Sequence, residues 1–205
     1  METELLTIYN ADMQYLGSRT RAEVHAQGFW HETFHCWFVK EDTYLLFQRR
    51  SLQKKDYPGL LDITAAGHLL AGEHPLDGIR EVNEELGITL NTANLQLIGI
   101  VKEENIRDTF INREFNHIYL YKCTTPIENF VLQNNEVAGI IQIDITAFEQ
   151  FINGNSFTVR GTGYNIETNG VKSHIDTNFI QDDFSPHNKE YFLRILQNIK
   201  KMKTE

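Results

Sequence analysis

The stretch from Gly67 to Ile88, GHLLAGEHPLDGIREVNEELGI, constrains this chain more than any other, because its charges converge only if it is helical. Pro75 suits a first helical turn and Gly87 a C-cap, so the run between them predicts an amphipathic helix. At about 100° per residue, Glu81 and Glu85 lie one turn apart on one side, with Glu84 flanking them and Arg80 one turn before Glu84. Like charges at this spacing repel and weaken a helix. Arg80 is a single cation beside these carboxylates, and a divalent metal compensates them better. The alternative is a solvated acidic face, which Glu-rich helices often present.

The lead-in to the helix adds to the metal reading. Ala65-Ala66-Gly67-His68-Leu69-Leu70-Ala71-Gly72-Glu73 places two glycines immediately ahead of it, where backbone can approach a phosphate or a metal. Gly67, Glu73 and then Arg80-Glu81-x-x-Glu84-Glu85-x-Gly87-Ile88 resemble the Nudix box, the signature of the Nudix hydrolase superfamily. The spacing between Glu73 and Arg80 is one residue shorter than the family pattern. The helical spacing of Glu81, Glu84 and Glu85 is untouched by this, and the position of Glu73 is the point left open.

The resemblance implies an α/β fold in which a mixed β-sheet is sandwiched between α-helices. It also implies a pyrophosphohydrolase that cleaves a diphosphate linked to an organic group. Glu81, Glu84 and Glu85, with the backbone carbonyl of Gly67, would hold Mg²⁺ or Mn²⁺ through oxygen atoms, the ligands that hard cations prefer. Arg80 would brace the loop through Glu73 or Glu84. Glu81, Glu114 and Glu136 are alternative general bases.

Composition limits the partners. The 205 residues fit one domain, residues 1–205, with an N-terminal β extension over about 1–30 and a C-terminal extension and helix over about 153–205. A net charge of −9 argues against broad nucleic-acid binding, which needs a basic surface to replace counterions along the phosphates. A small-molecule diphosphate remains compatible, because a bound metal and a few local Arg or Lys override the global sign; a homodimer is left open. Cys36 and Cys123 are too few for a disulfide scaffold and fit a reducing compartment. The acidic, polar start lacks the pattern of a signal peptide, and no apolar run approaches the roughly 20 residues of a membrane span. The expectation is a cytoplasmic protein with no membrane partner.

Alternation and turn residues predict strands at Leu5–Tyr9, near Tyr15–Leu16 ending at Gly17, Trp30–Val39, Thr43–Gln48 and Asp62–Ala66. Further strands are expected at Leu95–Glu103, Phe115–Lys122 and Ile140–Ile145, with a polar bend over Asn105–Asn112. A short helix is expected over Ser18–Ala26 and another from Thr146 to about Phe151. Asn153–Asp183, dense in Gly, Asn, Thr and Asp, reads as an insertion or a lid. Ser185-Pro186 opens a last helix with Tyr191, Phe192, Ile195, Leu196 and Ile199 on its core face and Lys200, Lys201 and Lys203 at its end.

A second resemblance lies outside the box. Leu46 to Leu60, LFQRRSLQKKDYPGL, together with Val24-His25 through Trp37 and Arg113-Glu114-Phe115, looks like the isopentenyl-diphosphate isomerase branch of Nudix proteins. That branch implies a metal held by His25, His31, His68 and Glu114, and a diphosphate bound by Arg49, Arg50 and Lys54. Imidazoles of this kind suit Zn or Mn better than Mg. His35 lies on the same strand face as His31 and is an additional or competing ligand candidate; His174 and His187 receive no role. The isomerase needs a cysteine two residues before the position of His68, and here that residue is Ala66. With the Arg80–Glu85 motif intact, the expectation is hydrolysis. Isopentenyl-diphosphate isomerisation is the alternative, and a non-catalytic nucleotide-diphosphate sensor the third reading.

Overall fold

The computed structural model describes residues 3–107, 110–167 and 169–202. Leu5–Tyr9 (β1) pairs antiparallel with Tyr15–Thr20 (β2), which continues through Gly17 instead of ending there. The next element, Arg21–Gln27 (α1), begins later than Ser18 because Thr20 and Glu23 form a reciprocal capping box that fixes its first turn.

Trp30–Lys40 (β3) is the axis of the sheet. It pairs along its whole length, in parallel, with the later strand Phe110–Cys123. On its other side it meets Tyr44–Arg50 (β4) only at Val39 and Lys40. Beyond that point β3 and β4 part, and the chain crosses the gap. Leu61–Ile63 (β5) pairs with β4 and Ala65–His68 (β6) with β3, so the single strand expected over Asp62–Ala66 is split. Thr64 stitches the crossing: its hydroxyl bonds the Leu46 carbonyl and accepts from the Phe38 amide at 3.0 Å.

After a 3-10 turn at Pro75–Gly78 comes Ile79–Leu86 (α2), closed by Gly87 at φ 67° as the sequence predicts. A side chain at Gly87 would be strained and would press on Val131. Leu95–Arg107 (β7) and Phe110–Cys123 (β8) form a hairpin paired out to Arg107 and Phe110. Most of the expected bend at Asn105–Asn112 is therefore strand; Asp108 and Thr109 lie outside the described residues.

Val137–Asp144 (β9) pairs with β4, and Ile145–Ile152 (α3) follows it. The stretch read as an insertion or lid is instead a hairpin, Val159–Ile166 (β10) and Lys172–Phe179 (β11), that extends the sheet beyond β9. The last helix, Lys189–Met202 (α4), starts after Asn188, whose side chain accepts from the Tyr191 amide at 2.8 Å; Lys203 lies outside the described residues.

Strand alternation divides the core in two. Trp37, Val39, Leu45, Phe47, Ile141 and Ile143 face α3 and α4, where Phe148, Tyr191, Phe192 and Ile195 cover them. Phe34, Cys36, Phe38 and Leu46 face α2, which contributes Val82 and Leu86. The fold is α/β, a mixed sheet between helices. Among the described residues, no helix is long and apolar enough to cross a membrane.

Candidate active site

Burial of Val82 and Leu86 fixes the rotation of α2 and turns its carboxylates toward a cavity of about 680 Å³. Asp62, Ile63, Ala66, Gly67 and His68 of the crossing segment line that cavity together with Glu81, Glu84 and Glu85. Gly67 lies so close to Glu81 that an added Cβ would sit 2.2 Å from its carboxyl carbon. The backbone and the carboxylate can be neighbours only because this residue is glycine.

Glu85 is 5% exposed, and its carboxylate accepts two long hydrogen bonds, 3.4 Å from Gln48 Nε2 and 3.4 Å from the Ala66 amide. Burial, and then the charge of Glu81, push its carboxyl up to about 8. Burial lifts Glu81 to about 7 against the opposing pull of Arg80. Glu84 is half exposed at the rim.

Arg80 donates from Nε to Glu73 Oε1 at 2.8 Å and from Nη2 to Glu73 Oε2 at 3.2 Å. It also reaches the His68 carbonyl at 3.0 Å, and Glu73 accepts from the Leu70 amide at 2.7 Å. The shortened entry thus keeps Glu73 in contact with Arg80.

The expected phosphate-binding cations divide. Arg50 and Lys54 line the cavity, Arg50 paired with Asp62 at 2.8 Å and Lys54 with Glu136. Arg49 does not: its guanidinium lies over the Phe179 ring, 5.6 Å from the centroid.

His25 from α1, His31 from β3 and His68 from β6 converge, with one nitrogen of each within 4.8 Å of the others. Nδ1 of His25 lies 2.9 Å from the Arg21 carbonyl, and Nδ1 of His31 lies 3.1 Å from the Phe29 carbonyl. A proton on each of these nitrogens leaves Nε2 with a free lone pair. The Nε2 atoms of His31 and His68 are buried and have no hydrogen-bond partner among the described residues. Burial depresses all three, His31 to about 3, so the imidazoles are neutral. Glu114 stands 3.8 Å from His31, and burial raises its carboxyl to about 7. This donor set fits a borderline cation.

His35 does not join the cluster. Its Nδ1 is 2.9 Å from the Tyr191 hydroxyl, which also accepts from Trp37 Nε1 at 2.9 Å. His187, which has no role in the sequence reading, sits in the cavity wall with Nδ1 2.9 Å from Glu103 and Nε2 3.3 Å from Asp62. Both ring nitrogens donate, so this is an imidazolium. Burial works against that charge, but the two carboxylates outweigh it and hold the group up at about 10.

The family profile described as the NUDIX domain matches residues 30–157. An uncharacterised Nudix hydrolase of Clostridium acetobutylicum is 38% identical over 200 residues, covering 96% of this chain and 97% of that protein. An isopentenyl-diphosphate Delta-isomerase of Serratia proteamaculans is 31% identical over 119 residues, 57% of this chain and 65% of its own length. The crystal structure of a MutT protein from Methanosarcina mazei matches with a TM-score of 0.53 at 14% identity, covering 86% of this chain and 96% of that one, a likeness of fold. The chain belongs to the Nudix family and is a hydrolase of the class that acts on diphosphate bonds.

Proposed function

We propose that the chain is a metal-dependent pyrophosphohydrolase whose substrate is a small-molecule diphosphate carrying an organic group. The observation that carries this reading is the pair of buried Glu85 and partly buried Glu81, one turn apart beside Gly67 and both lifted toward neutrality. Two adjacent carboxylates largely withdrawn from water are unfavourable alone and well suited to a hard divalent cation. Glu81, Glu84, Glu85 and the Gly67 carbonyl would hold Mg²⁺ or Mn²⁺, which when bound neutralises diphosphate charge and lowers the pKa of a water.

The chain's own groups do the rest. Arg50 and Lys54 hold the diphosphate oxygens, each already oriented by a carboxylate partner. Arg80, committed to Glu73 and the His68 carbonyl, braces the loop that carries Gly67. Of the three candidate bases, Glu136 is tied to Lys54 and Glu81 is a metal ligand. Glu114, with its carboxyl at about 7, is then the group suited to take a proton from water near neutral pH.

Isopentenyl-diphosphate isomerisation is the second reading, favoured by the His25–His31–His68 cluster. It needs acid and base groups on opposite sides of a double bond, and Ala66 supplies neither. The deciding assay offers nucleoside, sugar and isoprenoid diphosphates to the purified chain with Mg²⁺ or Mn²⁺, scoring phosphate release and isomer conversion together. Phosphate release from at least one substrate is expected; none from any would end the hydrolase reading.

A further inference from the structure

Arg50 enters the cavity from the end of β4, and two bonds set the plane of its guanidinium. Nε donates to the Asp56 carbonyl at 2.9 Å and Nη1 to Asp62 Oδ2 at 2.8 Å, which leaves Nη2 for a guest in the cavity. The direction of Nη2 therefore depends on how Asp62 is held. Asp62 divides its two oxygens. Oδ2 serves Arg50, while Oδ1 accepts from the Ile63 amide at 2.9 Å and from His187 Nε2 at 3.3 Å. The first of these bonds comes from β5 itself, the second from a residue 125 positions away.

His187 lies beyond the matched family residues 30–157, in the segment that leads into α4. Three bonds fasten that segment without the imidazole. The Ser185 amide bonds the Leu61 carbonyl at 2.8 Å, the Asn188 amide reaches Glu103 at 3.3 Å, and the Asn188 side chain accepts from the Tyr191 amide. The ring is held in its own right. It stacks on Tyr191 with centroids 4.4 Å apart, and Nδ1 donates to Glu103 at 2.9 Å, so Nε2 is aimed at Asp62. Burial alone would raise the Asp62 carboxyl, but the bond from His187 and then the charge of Arg50 hold it well below the usual range, in the ionised form that Arg50 needs.

We infer that His187 is a positioning residue for diphosphate binding: it orients Asp62, Asp62 orients Arg50, and Arg50 meets the substrate through Nη2. This rests on the reading above that Arg50 binds the diphosphate. His187 itself donates nothing to the substrate, because both of its N–H groups are committed to carboxylates. A guanidinium already fixed at two points takes a phosphate oxygen with little further loss of freedom. One left to swing on its long side chain must be ordered on binding, and affinity falls by that cost.

The test is calorimetric titration of the full chain, with Mg²⁺, against methylenediphosphonate, a diphosphate analogue that cannot be hydrolysed. Two variants separate the two bonds of the ring. An Asn side chain is long enough to keep the Nδ1 bond to Glu103 but not the bond to Asp62, whereas the amide nitrogen of Gln reaches the place of Nε2. His187→Asn should therefore weaken binding about tenfold, the loss of one bond to a charged group, and His187→Gln by about threefold at most. Arg50→Gln should also weaken it about tenfold, and His187→Asn should add little in that background, because both act through one guanidinium. Wild-type affinity in His187→Asn, equal losses in the Asn and Gln variants, or losses that add fully in the double variant would each overturn the relay. Should a His187 variant not fold, Asp62→Asn takes its place, with the same weakening expected and full additivity with Arg50→Gln again overturning. Any of these results beside a weakened Arg50→Gln leaves the diphosphate reading intact. Wild-type binding in Arg50→Gln, or no binding by the wild type, would instead bring down the reading of Arg50 and the relay with it.

Discussion

Arg80 and Glu73 meet in a two-point hydrogen bond although the helix entry between them is short, at 2.8 Å through Nε and 3.2 Å through Nη2. A third donation, to the His68 carbonyl, ties the same guanidinium to the strand that presents Gly67. Arg80→Lys keeps the charge but cannot reproduce the planar fork. It should lower kcat about tenfold or more with a small change in KM, because loop geometry rather than substrate contact is lost. Steady-state kinetics on the best diphosphate substrate check this, and an effect confined to KM would place Arg80 on the substrate instead.

Glu85 links metal binding to stability. Its carboxyl is raised to about 8 and that of Glu81 to about 7, both above the ordinary carboxylate range. The folded, metal-free chain therefore holds more protons than the unfolded chain between those values and the ordinary range, and its stability falls as pH rises through this window. Denaturant titrations in chelator should show that decline from about pH 5 to pH 8, with a flatter profile for Glu85→Gln. The same substitution should remove most Mg²⁺-dependent turnover; activity within tenfold of wild type would show that this helix is not the metal site.

The box helix was legible because it depends on a short pattern, the helical spacing of Glu81 and Glu85, whereas only the resemblance to the isomerase branch groups His25, His31 and His68. What escaped depends on packing across long separations. Nothing near His187 in sequence announces Asp62, 125 positions away, as its partner. The β10–β11 hairpin reads in sequence as an insertion or a lid because Gly161, Gly163 and its Asn and Thr residues dilute the apolar alternation. Gly161 is required there: an added Cβ would meet Ile141 and Phe179 within 3 Å. Arg49 is different, since period-two alternation already separated it from Arg50 and only the resemblance placed them together.

The histidine cluster gives a prediction independent of turnover. With neutral rings and buried, unpartnered Nε2 atoms on His31 and His68, the metal-free chain should bind one equivalent of Zn²⁺ or Mn²⁺ there. A rise in melting temperature on adding Zn²⁺ should be present in the wild type and absent in His31→Ala and His68→Ala. An unchanged rise in both variants would mean that the ion goes elsewhere, the carboxylate helix being the obvious alternative.

Ala66 separates hydrolysis from isomerisation. It lines the cavity two residues before His68, where the isomerase branch requires a thiol. Cys36 and Tyr191 are poorly placed to replace that thiol as a proton donor at carbon. Cys36 is fully buried in the core that faces α2, and burial raises its thiol well above the usual range. The Tyr191 hydroxyl is likewise pushed up by burial and is occupied by His35 and Trp37. The wild type should therefore show no conversion of isopentenyl diphosphate to its dimethylallyl isomer, followed by NMR of the allylic protons. Ala66→Cys restores the donor with one added sulfur atom on the cavity wall and is the variant in which isomerisation should first appear, if the histidine cluster and Glu114 retain that chemistry. Efficient conversion by the wild type would show that a group other than residue 66 protonates carbon, and the assignment of this chain to hydrolysis would fall with it.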